Sequence, residues 1–357
     1  MSTASPPELP GLDDLVEQLV NVPSVSGSEA ALASLVERFL SGREHLEVVR
    51  DGDAVLARTR IGAGRRVLLA GHLDTVPLAG NVPSWRQHRR LYGCGSSDMK
   101  SGLAVMLALA TVPPTGSDLT CVFYDGEEVA ASRNGLGRLT RTHREWLDAD
   151  LAVLLEPTDG RVEAGCQGSL RVQAALSGVR AHTARSWLGA NAIHAAGPLL
   201  ERLRVYRART AVVDGCEYRE GLSAVAITGG VAGNVVPDAC VVTVNFRYAP
   251  DRSSEEALDH LRDVLGPDVA LVLDDLSPAA SPRLTDPAVA GFLAAVGTPP
   301  RAKLGWTDVA RFSALGIPAV NFGPGEPEVA HTPHEWVDLD RVHESRDVLA
   351  AYLASGV

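Results

Sequence analysis

The sequence predicts an α/β protein with a mainly parallel central sheet, into which a smaller α+β domain is inserted. Three observations lead there. Short, wholly apolar runs alternate with helical stretches in the first half, strict two-residue alternation replaces them after about Gly168, and the first pattern returns from Pro287. A chain of 357 residues is long enough for two domains. The division predicted is residues 1–174 and 286–357 for the larger domain and 175–285 for the insert.

The elements follow in order. Leu12, Leu15, Leu19 and Val20 recur at helical spacing, and after a break at 23–27 so do Leu32, Leu35, Val36 and Leu40. Residues 67–70 are a short apolar run ending at Gly71, as a buried strand would be. The turn Gly93-Cys94-Gly95-Ser96-Ser97 precedes an apolar helix over 99–110. Residues 119–124 and 151–155 read as buried strands, with a helical stretch at 134–147 between them. Residues 170–176 and 239–248 alternate like half-buried antiparallel strands, with helices expected around 191–207 and 254–265. A helix over 289–295 and a strand over 319–322 close the pattern. No internal repeat or low-complexity segment is visible.

Composition removes several classes of function. Lys and Arg number 33 against 44 Asp and Glu, a net charge of −11, whereas a nucleic-acid surface needs clustered cations. The longest apolar run, 103–110, is too short for a bilayer, which takes about 20 residues. Residues 1–14 hold no basic residue and no apolar run, unlike a signal peptide. The expectation is a soluble, cytoplasmic protein. Five scattered cysteines without a C-x-x-C pair argue against a disulfide framework or a thiolate zinc site.

Polar residues gather just beyond the carboxyl ends of the predicted strands, where open α/β sheets bind ligands. His72 and Asp74 follow the first strand, Asp98 lies beyond the glycine turn, and Glu127 and Glu128 follow residues 119–124. Glu156 follows 151–155, and the loop after 319–322 ends at His331. One such residue is ordinary surface; five separate ones at strand ends or turns are a pattern. Two His and three carboxylates without sulfur suit a borderline divalent metal such as zinc. A single catalytic zinc needs three protein ligands, so five fit two ions about 3.5–4 Å apart sharing one carboxylate. Glu127 is then free as general base, and Asp74 can accept the second ring N–H of His72.

The motifs Gly71-His72-Leu73-Asp74-Thr75-Val76-Pro77, Gly93-Cys94-Gly95-Ser96-Ser97-Asp98-Met99-Lys100-Ser101-Gly102, Glu127-Glu128 and Glu156-Pro157-Thr158 resemble successive signatures of the M20 metallopeptidase family. Ala181-His182-Thr183-Ala184-Arg185, Gly189-Ala190-Asn191-Ala192-Ile193, Gly233-Asn234-Val235-Val236-Pro237 and Phe246-Arg247-Tyr248 extend it through the insert. The resemblance implies a zinc-peptidase-like catalytic domain and a ferredoxin-like lid and dimerisation domain. It implies that Asp98 bridges two divalent ions, zinc with cobalt as a substitute. His72 and Glu156 would complete one ion's shell, Glu128 and His331 the other's, with Glu127 as base. It also implies a homodimer through the insert, with His182 reaching the partner's active site and Asn234 and Arg247 near substrate, and a cis Asp98–Met99 peptide.

Within the family, the stretch from Gly305-Trp306-Thr307-Asp308 to Gly323-Pro324-Gly325 resembles the desuccinylases of actinobacterial type. The activity implied is hydrolysis of N-succinyl-LL-2,6-diaminopimelate to succinate and LL-2,6-diaminopimelate, a step of lysine and cell-wall precursor synthesis. Cys166-Gln167 departs from the arginines that other desuccinylases carry there. The competing expectations are another activity on an N-acyl amino acid or peptide (acetylornithine deacetylase, aminoacylase, di- or carboxypeptidase) and a silent binding protein on the same scaffold. Three features are assigned no chemistry. Gly323-Pro324-Gly325 lacks the Lys-Ser/Thr of a phosphate loop, His194 reads as structural, and the arginines of 202–209 read as a solvated helix face.

Overall fold

In the computed structural model, which describes residues 6–267 and 269–356, the chain forms two compact units. The first comprises Met1–Ala164, Arg283–Arg301 and Arg311–Val357, the second Gly165–Pro282 and Ala302–Ala310.

Central to the first unit are the four apolar runs read as strands. Asp118–Tyr124, Arg66–His72, Leu151–Leu154 and Ala319–Asn321 lie side by side in that order, every neighbouring pair parallel. Val67, Leu68, Leu69 and Ala70 are all fully buried, because helices and loops cover both faces of such a sheet. Antiparallel strands flank them, Ala54–Arg58 and then Glu47–Asp51 on one side and Glu163–Ala164 on the other. The helices Leu12–Val20, Ala30–Leu40, Ser101–Ala110 and Leu339–Ser355 pack into one core with Val67, Leu69, Val153 and Val320. All four parallel strands therefore deliver their carboxyl ends to the same rim.

Asp118, at the start of a central strand, anchors the loop that leads into its neighbour. Its carboxylate accepts from the Thr59 hydroxyl and Ile61 N–H at 2.9 and 2.8 Å and from Ala63 N–H at 3.2 Å. Burial alone would raise its pKa, but these bonds and Arg66 outweigh it and hold the group below its ordinary 3.8. Because the folded value lies below the unfolded one, its stabilisation is present above about pH 4 and fades as the pH falls. Asp118→Ala, which orphans two amides and a hydroxyl, is expected to cost about 2–4 kcal/mol in a urea titration at pH 7. Asp118→Asn, which keeps an acceptor, should cost less. A loss below about 0.5 kcal/mol for the alanine variant would show that the anchor is not needed.

In the second unit, Gly221–Gly229, Ala239–Tyr248, Gly168–Ser177 and Ala270–Ser277 form an antiparallel sheet in that order. The helices Gly197–Val205 and Ser254–Leu265 supply Leu199, Ala257, Leu261 and Leu265 to a core with Leu170, Val172, Val242, Val244 and Phe246. The order β-α-β-β-α-β with this pairing is the ferredoxin-like arrangement expected of the insert. The boundary expected at 175 falls instead at Gly165, since Gly168–Ser177 is paired with Ala239–Tyr248 along its whole length and cannot be divided. Residues 302–310 also belong here: Lys303 O accepts Gln167 N–H at 3.2 Å, and the Trp306 indole donates to Pro278 O at 3.1 Å. The helix expected over 191–207 is split into Ala192–Ala195 and Gly197–Val205, the second with Pro198 in its first turn. Among the described residues no helix is long and apolar enough to cross a membrane.

Candidate active site

His72 is the last residue of its strand and is buried. Its Nδ1–H donates to the backbone carbonyl of Asp74 at 3.0 Å, which aims Nε2 at Asp98 Oδ1, also 3.0 Å away. The Asp74 carboxylate was expected to hold that Nδ1–H, but it stands 3.5 Å off. It instead accepts N–H of Glu127 and Glu128 at 2.9 and 3.0 Å and the Ser26 hydroxyl at 2.7 Å. The reason is local: in the turn leaving the strand, the carbonyl two residues on is the nearest acceptor. The side chain is thereby free to reach the neighbouring strand's loop, so Asp74 ties together the loops carrying His72 and the Glu127-Glu128 pair. Burial would raise the Asp74 carboxyl, yet His72, Ser26 and the Glu128 amide outweigh it and hold it far below the usual range.

Asp98 follows the glycine turn, in which Gly95 has φ 79°, and the Asp98–Met99 peptide is cis. Its two carboxylate oxygens face different histidines. Oδ1 lies 3.0 Å from His72 Nε2 and Oδ2 lies 3.3 Å from His331 Nε2. His331 Nε2 is also 2.7 Å from Glu128 Oε1. Ligand atoms of His72, Asp98 and Glu156 lie within 4.8 Å of one another, as do those of Asp98, Glu128 and His331. Asp98 is common to both groups. A third group at that spacing joins His72, Glu127 and Glu128, so the carboxylate expected to act as base lies beside the expected ligands.

The electrostatics favour cations. Asp98 and then Glu128 push His331 up to about 10, and the same kind of pairing raises His72 in spite of its burial. The carboxylates of Asp74, Asp98 and Glu128 thus favour positive charge at both rings, which a divalent ion can supply where the imidazoles give up their protons. Two nitrogens and three carboxylates, with one carboxylate addressed to both sides, fit a pair of borderline divalent ions.

Sequence reasoning missed two residues. The Ser26 hydroxyl supports Asp74, and Glu335 accepts backbone N–H from Gly95, Ser97 and Asp98. Neither has a signature, because both act on groups that are distant in sequence. His334, two residues before the strand Trp336–Asp338, is exposed.

The remaining expected site residues lie in the second unit. His182 is exposed at the end of Ala181–His182, which pairs with Val235–Val236, and its Nδ1 accepts Ala184 N–H at 3.0 Å. Asn234 is also exposed, and its carbonyl accepts Thr183 N–H at 3.0 Å. Arg247 is half-buried on Ala239–Tyr248, opposite Ser169, and burial pulls its guanidinium below its ordinary value. Gln167 spends its side-chain N–H on Arg219 O at 2.8 Å.

Comparison with known proteins completes the picture. Residues 68–355 match the model of peptidase family M20/M25/M40. A Mycobacterium tuberculosis H37Rv protein assigned as the succinyl-diaminopimelate desuccinylase DapE is 54% identical over 343 residues, covering 95% of this chain and 97% of that one. The succinyl-diaminopimelate desuccinylase of Corynebacterium glutamicum is 46% identical over 362 residues, covering 97% and 98%. Among solved structures, a tripeptidase from Staphylococcus aureus superposes with a TM-score of 0.76 at 20% identity, over 97% of each chain. The chain belongs to peptidase family M20/M25/M40.

Proposed function

We propose that the chain hydrolyses N-succinyl-LL-2,6-diaminopimelate to succinate and LL-2,6-diaminopimelate at a two-ion centre, zinc in both places with cobalt able to substitute. The observation that carries the two-ion reading is the split of the Asp98 oxygens between His72 and His331. His72 and Glu156 would complete one shell, Glu128 and His331 the other. The substrate rests on 54% and 46% identity to the two relatives named as desuccinylases. When bound, the ions supply a Lewis acid and bring the pKa of water into the neutral range.

The chain's own residues do the rest. Glu127, its backbone held by Asp74, takes the proton of the attacking water and returns it to the leaving nitrogen. Because His182 Nδ1 accepts an amide hydrogen, the neutral ring carries its proton on Nε2, which is left as a donor for the oxyanion. Arg247 has no ion-pair partner among the described residues and can take a substrate carboxylate in a bidentate pair, with Asn234 beside His182 as a further polar contact.

His182 is assigned to the active site of a second copy. Every residue of Gly221–Gly229 after Leu222 is exposed, including Val225 and Ile227 at 58% and 51%. That strand is an edge of its sheet, and the helix Gly197–Val205 also exposes Leu200 and Val205. A long apolar edge strand is a template for pairing, and a two-fold axis satisfies it with the same strand of another subunit. A cytoplasmic setting belongs to the same reading: all five cysteines are buried free thiols, as a reducing compartment permits.

The test of substrate is a panel of N-succinyl, N-acetyl and peptidyl amino acids assayed with metal-reconstituted protein. Preference for the succinylated diaminopimelate supports the proposal. Preference for another acyl group or for peptides would overturn the substrate assignment while leaving the hydrolase reading in place. Absence of all hydrolysis with metal restored would leave a binding protein. For the ions, equilibrium dialysis with elemental analysis is expected to give two per chain, and Asp98→Ala should lose both at concentrations that saturate the parent. One ion per chain, unaffected by Asp98→Ala, would rule out the bridge.

A further inference from the structure

We propose that Glu335 is the positioning residue for Asp98, so that the short segment 331–335 sets both a metal ligand and the carboxylate shared between the ions. The inference rests on the two-ion reading above.

Glu335 is buried, 2% exposed, and both of its carboxylate oxygens are spent on one turn. Oε1 accepts N–H of Ser97 at 2.8 Å and of Asp98 at 2.9 Å, and Oε2 accepts N–H of Gly95 at 2.9 Å. Its own carbonyl takes Gly93 N–H at 3.0 Å. The placement follows from strand register. Trp336–Asp338 pairs antiparallel with Arg90–Tyr92, Trp336 opposite Tyr92, so the residue before Trp336 falls beside the residue after Tyr92. The register thus sets Glu335 against the start of the glycine turn.

A buried carboxylate whose purpose is only to fill the core would be costly, and the usual compensation is a cation. No Lys or Arg forms an ion pair with Glu335 among the described residues. The nearby buried Lys100 gives its ammonium to Val22 O at 2.7 Å instead. Lys100 contributes only its charge at a distance, and the hydrogen bonds to the carboxylate come from amides of the turn, one of them the amide of Asp98 itself. Charge-assisted bonds to N–H groups are short and directional, so they fix the peptide planes from which the Asp98 side chain departs. The split of its oxygens between His72 and His331 requires a side chain that cannot rotate toward one of them. His331, four residues before Glu335, is tied to the same frame.

The test compares metal-stripped parent, Glu335→Ala and Glu335→Gln by calorimetric titration with Zn²⁺ and by the visible spectrum with Co²⁺, alongside urea unfolding. Gln can keep the acceptor at the Oε1 position but turns an N–H₂ toward the Gly95 N–H. The expected result is a weakening of the second ion by about 10–100-fold in Glu335→Ala, the usual range for a lost outer support. Glu335→Gln should lose less than about tenfold, and both cobalt spectra should change. Should the alanine variant not fold, the graded loss and altered spectrum of Glu335→Gln carry the proposal. Parent-like affinity for both ions and an unchanged cobalt spectrum in a folded variant would overturn it, whatever happens to the urea midpoint. A parent that itself binds fewer than two ions overturns the two-ion reading first, and the titration of the parent alone reveals that.

Discussion

Glu127→Gln is expected to keep both ions and lose nearly all turnover. Removing a general base costs about 10²–10⁴-fold in kcat, and toward the upper end where the same group must also protonate the leaving nitrogen. The substitution preserves shape and leaves the backbone bond from residue 127 to Asp74 in place, so the loop should not move. The elemental content matters as much as the rate. Glu127 lies within ligand spacing of His72 and Glu128. Geometry alone therefore allows the neighbouring carboxylates to exchange roles. Loss of metal in Glu127→Gln, with metal kept in Glu128→Gln, would make Glu127 the ligand and Glu128 the base. Retained metal with a collapsed kcat and little change in KM supports the assignment proposed here.

His182→Ala is the second large effect, about 10²–10³-fold in kcat for one missing oxyanion donor. Metal content should be unchanged, since His182 belongs to no group of candidate ligands and lies in the other compact unit. A purely structural histidine would show itself as a lower unfolding midpoint with kcat preserved in the folded fraction. The decisive measurement mixes His182→Ala with Glu127→Ala under conditions that exchange subunits. If the imidazole acts across a two-fold interface, a hybrid dimer contains one site with both defects and one with neither, and activity reappears. Hybrids that form and remain inactive would place His182 outside the partner's chemistry.

Much of the first unit was legible in the chain because its information is local. A strand buried on both faces must be apolar throughout, so Arg66–His72, Asp118–Tyr124, Leu151–Leu154 and Ala319–Asn321 announce themselves as short runs. Two flanking strands are less legible. Glu47–Asp51 has residues at most half-buried and all charged or Val, and Ala54–Arg58, although its first four residues are buried, is short and draws two of those four from alanine, a weak strand former. The longest helix, Leu339–Ser355, was also missed. Its buried residues, among them Leu339, Val342, Leu349, Tyr352 and Leu353, are separated by Arg341, Glu344, Arg346 and Asp347, and its start rests on the Asp338 side-chain cap.

The sequence by itself determined which residues could hold metal. His72, Glu127, Glu128 and Glu156 are placed by the carboxyl ends of parallel strands, and strand ends can be read from where apolar runs stop. Only the tertiary structure decided how those groups address one another. That the Asp98 oxygens divide between His72 and His331, that Asp74 grips the Glu127-Glu128 backbone, and that Glu335 holds the Asp98 turn are facts about hydrogen bonds spanning 26 to 240 residues of chain. Backbone N–H groups are the same at every position. A carboxylate that will accept them leaves no periodicity, and its role appears only when strand register brings the turn to it.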